Sequence, residues 1–329
     1  MTINKSFLRI WDWIKRVDAW WFSWGSPLTL VTLRISVGFL AVANLLLLSA
    51  IFPEFFFQNG LTPDWAAETW SNGTMINLLR GSTSERTYWV FLWITTGAAL
   101  CMTVGLSTRV ATVVTTLGTM TLQARNPFVI HGGDTLLRLV LIYLCFARTD
   151  ALWSVDNLIR RRRNSDWVPP ARVPLWPQKL IMFQMAVMYL ATVFEKLLTI
   201  PWRDGSAVYY VSRLTAYQRF PLPEILSQPP VTTLMTYGTL IVETLLGLAA
   251  FYPHLRKYAI TYGVILHLGI TFSMNIPIFG ELTLVLYLSY FSGEELATLG
   301  REIKGYGAAI GRVVRRLASG RMPTGPQPT

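Results

Sequence analysis

Residues 176–211 read WPQKLIMFQMAVMYLATVFEKLLTIPWRDGSAVYYV, and this stretch decides the fold. Lys179 to Leu198 is an apolar run that meets the roughly 20 residues a helix needs to cross a bilayer. Its last turn carries Glu195 and Lys196, and Pro201 breaks it ahead of Trp202-Arg203-Asp204-Gly205. Ionisable groups at the end of a membrane helix are expensive. Lys196 either snorkels, laying its methylenes on apolar neighbours while the ammonium reaches water, or serves a site.

The chain around this helix has the same character. Of its 329 residues 52% are hydrophobic and only 14% charged, about half the charged fraction of soluble domains. Runs of the same kind lie at Leu28–Ile51, Tyr88–Leu106, Val110–Ala124, Thr135–Ala147, Val231–Phe251, Tyr258–Met274 and Ile278–Phe291. The expected fold is therefore all-α, a polytopic membrane helical bundle of about eight transmembrane spans. Two folded outer loops join them, 53–87 with the breakers Asn59-Gly60 and Asn72-Gly73, and 199–230. Residues 1–27 interleave Trp11, Trp13, Trp20, Trp21 and Trp24 with Lys5, Arg9, Lys15 and Arg16, as in an amphipathic helix seated among lipid headgroups. Residues 28–293 form the bundle, and 294–329 a basic tail whose Gly/Pro/Thr end is expected to be disordered.

Several functions are excluded by composition. The basic, aromatic N-terminus leads straight into a span, which makes membrane lipids its partner and not nucleic acid. Neither a P-loop nor a dinucleotide glycine fingerprint is present, and the histidines His131, His254 and His267 lie too far apart for a zinc spacing, so no metal is expected. Cys101 and Cys145 sit in apolar runs, where free cysteine behaves as a small hydrophobe.

Charge sets the expected orientation. Of the 29 Lys and Arg residues, Arg34, Arg138 and Lys196 lie in spans. Only Arg80, Arg86, Arg125, Arg203, Arg213 and Arg219 fall in the loops of one side, and the remaining 20 fall on the other, including the run Arg160–Arg163. The positive-inside rule places that side in the cytoplasm, with both termini, in a plasma or inner membrane. Lys196, His131, Asp134, Asn275 and Glu281 then sit at the outer face or in its loops, the pattern of a pocket opening outward. Arg138 follows Asp134 by four residues and is placed to pair with it. Glu243 and His267 are expected deeper in the bundle, as intramembrane polar groups of the kind that mark sites.

Pro174-Leu175-Trp176, the helix that follows, Glu195-Lys196-Leu197, Trp202, Gly205 and Tyr209-Tyr210 resemble the membrane core of vitamin K-dependent gamma-glutamyl carboxylases and their short bacterial relatives, the horizontally transferred transmembrane domain family. Trp153-Ser154-Val155-Asp156 resembles the segment before that family's inner loop, and His267–Phe291 its last spans. The resemblance implies a reduced, vitamin K-like quinone as cofactor, with Lys196 as the catalytic base toward it. It leaves His131, Asp134, Arg138, Glu195, Trp202, Asp204, Tyr210, Glu243, His267 and Asn275 as candidate pocket residues. A base lysine must be neutral, which burial favours.

Two departures stand beside the resemblance. Ala151 occupies the place of a histidine in the family's carboxylases, and the large outer domain that holds their peptide substrate is not expected after residue 291. Three functions follow: quinol-linked modification of a peptide or small molecule at the outer face; a membrane factor, catalytic or not, for maturation or export of a secreted peptide such as a sporulation-delaying toxin, acting alone or with a partner subunit; and, ranked last, a transporter, which requires discontinuous spans in two related halves. The charge count makes a prediction of its own. A single cysteine at Ser206 should react with a membrane-impermeant maleimide on intact cells while one at Ser165 does not, and outside labelling at Ser165 would overturn the orientation.

Overall fold

A computed structural model describes residues 5–71 and 76–318. It is predominantly helical: α1 (Lys5–Trp21), α2 (Leu28–Ser49), α3 (Phe52–Phe56), α4 (Asp64–Ser71), α5 (Glu85–Val104), α6 (Thr108–Arg125), α7 (Gly132–Cys145), α8 (Val155–Arg163), α9 (Trp176–Leu197), α10 (Ile200–Arg203), α11 (Ala207–Val211), α12 (Pro229–Leu248), α13 (Arg256–Ser273), α14 (Phe279–Leu286) and α15 (Gly293–Ala318). One two-residue pair, β1 (Trp24–Gly25) against β2 (Val173–Pro174), sets the starts of α2 and α9 side by side. We call that the basic end of the bundle and the opposite one the far end. Asn72-Gly73 and the tail beyond residue 318 lie outside the described residues.

Among the described residues, four helices are long and apolar enough to cross a membrane: α2, α5, α9 and α12. The other four expected spans are helices in the expected places, each shorter or more polar. α6 has 18 residues but is built on threonine: Thr112, Thr115 and Thr116 are buried and return their hydroxyls to carbonyls one turn back at 2.7–2.8 Å. That satisfies each hydroxyl without a partner helix and keeps the face thin, so α5 packs closely on it. α7 has 14 residues and α14 only 8, about 21 and 12 Å of rise. α13, with 18 residues, buries Ala259, Gly263 and His267 and leaves Phe272 and Ile265 outward.

α2 is the most enclosed of the four long helices, and Arg34 lies fully buried within it. Its Nη1 and Nη2 donate to the carbonyls of Thr149 and Trp153 at 2.7 and 2.6 Å. Around this contact the Trp153-Ser154-Val155-Asp156 segment folds into a knot at the basic end. Ser154 caps α8 by accepting from Asn157 N, and Asp156 accepts from the backbone N–H groups of Ser107 and Thr108 and from the Thr108 hydroxyl at 2.7–2.8 Å, capping α6. Gly105 closes α5 at φ 74°, where a Cβ would stand 2.5 Å from Ser154 and 2.7 Å from Arg34, so only glycine admits both the turn and the approach. Ala151 is buried in this knot.

A second buried guanidinium organises the far end. Arg125 donates to Tyr88 Oη and to the carbonyls of Thr62 and Phe57 at 3.0–3.2 Å, and Asn126 Nδ2 to Phe55 O and Thr62 Oγ1. The first far-end loop is thereby tied down on α6. The second is anchored elsewhere, on α12 through Val208 N to Thr236 Oγ1 and Tyr237 Oη to Arg203 O, and on the α13–α14 turn through Asn275 N to Tyr217 O. Among the described residues the two loops therefore rest on separate supports. At the basic end α1 carries outward-facing Trp11, Trp13 and Trp20, and Lys179 reaches back to Trp21 O and Ser23 Oγ, fixing the helix against the bundle.

The Asp156 cap has a pH signature. Burial alone would push this carboxyl up, but the Thr108 and Ser107 N–H groups, the Thr108 hydroxyl and nearby Arg160 together hold it below the usual range. A folded value below the unfolded one means that its stabilisation is complete at neutral pH and is lost as pH falls through the lowered value. Asp156→Asn should lower the thermal midpoint in detergent at pH 7, and the gap to the parent protein should close below about pH 4.

Candidate functional site between α9, α12 and α13

Lys196 and Glu195 separate as adjacent helical residues must, about 100° apart. Glu195 is exposed, whereas Lys196 turns inward and its Nζ donates to both carboxylate oxygens of Glu243 on α12. The two side chains keep 22% and 12% of their surface, so the pair is largely dry. Glu243 reaches Lys196 through the register of α12 on α9: Gly247 meets Leu190 and the Ala186 carbonyl, and Glu243, four residues earlier, stands one turn nearer the far end. The ammonium also lies over the face of Trp202, 4.7 Å from the ring centroid, placed there by the break at Pro201.

One face of α9 carries a second polar group. Tyr189 precedes Lys196 by seven residues, two turns on the same side, and its hydroxyl is 3.0 Å from His267 Nε2 on α13 and 2.9 Å from the Tyr287 hydroxyl. All three groups are buried. Beside them His267 Nδ1, Thr271 Oγ1 and Glu281 Oε2 are buried with no hydrogen-bond partner among the described residues. Buried polar atoms cost free energy when unsatisfied, so this cluster is built to meet something polar. A proton can pass between Lys196 and Glu243, and along His267, Tyr189 and Tyr287.

Sequence matched to the family model for the HTTM domain spans residues 25–294, from β1 through every helix that builds this site. The chain belongs to the HTTM domain family. No solved structure matches this HTTM protein. In it the residues singled out from sequence divide into three groups. Lys196, Glu243, Trp202 and His267 come together between α9, α12 and α13. His131 and Asp134 form a separate site at the start of α7, where Asp134 accepts from His131 N and Asn44 Nδ2, both at 3.1 Å. Glu195, Asp204, Tyr210 and Asn275 are exposed; Asp204 caps Ser206, and Tyr210 packs its ring against Tyr209.

Two expectations are corrected. The single outward pocket is two sites, because α14 lies between α7 and α13 and packs on both. The Asp134–Arg138 pair does not form: Asp134 closes a capping box with His131 at the helix start, which turns its oxygens back toward the N-terminus and away from the next turn. Arg138 is half-buried with no ion pair among the described residues. Tyr189, Tyr287, Asn44 and Gln123 were missed. Tyr189 was within reach from its spacing to Lys196; the others depend on which helices meet.

The Lys196–Glu243 pair predicts a double-mutant signature. Glu243→Ala strands a largely buried cation and should cost about 2 kcal/mol, discounted for its remaining exposure. Lys196→Met with Glu243→Leu removes both charges and should cost less than the sum of the single changes, as measured by thermal unfolding in detergent.

Proposed function

We propose that this HTTM protein is a membrane enzyme whose Lys196–Glu243 pair handles a proton at the outer face during quinol-linked modification of a peptide or small molecule. The observation that carries it is a largely dry Lys–Glu pair two helical turns from the buried His267–Tyr189–Tyr287 chain, with three unsatisfied polar atoms beside it. Paired with the Glu243 carboxylate, Lys196 is an ammonium and no base. Passing one proton to Glu243 converts the ion pair into a neutral amine and a neutral acid, an exchange that a dry site favours more than water does. The neutral Lys196 amine can then accept a proton presented at its Nζ, with Glu243 holding the one displaced.

The residues suit a reduced quinone. A quinol presents hydroxyl donors and a flat apolar ring; Glu281 Oε2 and the free edge of His267 offer partners for the first, and Phe279, 5.7 Å from the His267 ring centroid, a wall for the second. When bound it would supply reducing electrons. Tyr189 orients His267, and Trp202 covers the ammonium against water. In this reading the eight alternating helical passes all cross the membrane, α7 and α14 shielded by their neighbours, and both termini are cytoplasmic.

Substitution separates a proton carrier from an anchor. Lys196→Arg keeps the charge but cannot release a proton, so protein-dependent oxidation of menadiol with dioxygen as the electron acceptor should fall about a hundredfold or more with the protein still folded in the membrane. Glu243→Gln should fall similarly, and Glu195→Gln should be near neutral. Full activity in the arginine variant overturns the enzyme reading and leaves recognition of a secreted peptide as the role of this face.

A further inference from the structure

Away from Lys196, a cavity of about 220 Å³ lies at the far end between α2, α6 and the start of α7. Its walls are apolar, with Leu45, Leu48, Leu122, Val129 and Ile130 among them, and one end is polar, formed by Asn44, Gln123, His131 and Asp134. A space several times the ~30 Å³ of a water molecule with mostly apolar walls is poorly suited to water alone. It also falls below the ~300 Å³ at which whole-ligand pockets begin, so it takes a headgroup and the first part of a chain. Leu47 and Ile51 on its rim are 57% and 38% exposed, which opens it sideways, toward lipid.

The polar end states which headgroup. Gln123 is 6% exposed, and its Nε2 donates to the Asp134 carbonyl at 2.9 Å. A carbonyl only accepts, so this bond fixes the amide orientation and leaves Gln123 Oε1, which has no partner, as the free group. That atom needs a donor. No lysine or arginine lines the cavity and the Asp134 carboxylate does, which selects against an acidic head. Asp134 is itself engaged by His131 N, by Asn44 Nδ2 and by the His131 ring, whose Nε2 stands 3.3 Å from Oδ2, so it does not call for a further cation.

We infer that this cavity is a lateral binding site for an uncharged, membrane-soluble alcohol, its hydroxyl donating to Gln123 Oε1 and its chain leaving between Leu47 and Ile51. Nothing in the inference depends on Lys196.

The test uses the full-length protein in detergent and a decanol carrying a diazirine close to its hydroxyl end, in the part of the chain that the cavity holds. Photolabel should concentrate on the cavity residues Leu47, Leu48, Ile51, Val129 and Ile130 and be displaced by plain n-decanol. The methyl ether of the probe, which cannot donate, and the corresponding carboxylic acid should each label about five- to tenfold less, as should Gln123→Leu with the alcohol. If that variant does not fold, Ile130→Trp fills the cavity without touching the Gln123–Asp134 bond and should abolish the labelling. Equal labelling by alcohol and ether, preference for the acid, label spread evenly onto outward-facing Phe39 and Leu46, or undiminished labelling in the folded variants would each overturn the assignment.

Discussion

A guanidinium carries five donors in a rigid plane and keeps its charge in any protein, so burying one obliges the chain to bring acceptors to it. Arg34 imposes that demand at the basic end, where Thr149 and Trp153 turn their carbonyls inward and the Trp-Ser-Val-Asp segment knots around it. Arg125 imposes it at the far end, drawing Phe57 and Thr62 down from the first loop. Between these two fixed ends the helices need only pack, and they do so through small contacts such as Gly38 against Thr103 and Gly118 against Thr95. The ends are specified by hydrogen bonds and the middle by close approach.

This division explains why a motif that looks functional can be architectural. Ser154 and Asp156 cap two helices and Trp153 gives its carbonyl to Arg34, while Lys196 stands at the other end of α9, a 22-residue helix some 33 Å long. Ala151, in the place where the family's carboxylases have a histidine, sits in the same knot. The alanine therefore bears on the packing of the basic end and leaves the Lys196 neighbourhood untouched.

Much of the architecture was legible in the sequence because it follows from local rules. Apolar runs located the helices, the break at Pro201 placed Trp202, and the 100° step between neighbours separated Glu195 from Lys196. Partnerships across helices were less legible. Lys196 and Glu243 looked different in depth, and it is the register of α12 on α9, with Gly247 against Leu190, that brings them level. Asp134 and Arg138 were the reverse case, neighbours on paper that part because a capping box claims the aspartate first. Gln123 gave no signal at all, since its role comes from one bond to a carbonyl that tertiary packing delivers.

The Tyr189 hydroxyl has a single hydrogen and two partners, which gives the buried chain a direction. If Tyr287 donates to Tyr189 and Tyr189 to His267 Nε2, then His267 Nδ1 carries a hydrogen; if the chain runs the other way, Nδ1 is a bare lone pair. Reversing it needs only hydroxyl rotations and one proton relocated on the imidazole, with no heavy atom moved. The same wall of the site thus has two faces: one matched to a carbonyl, the other to a hydroxyl. A ligand that changes between those two forms during a reaction could be held in both without the protein reshaping its backbone.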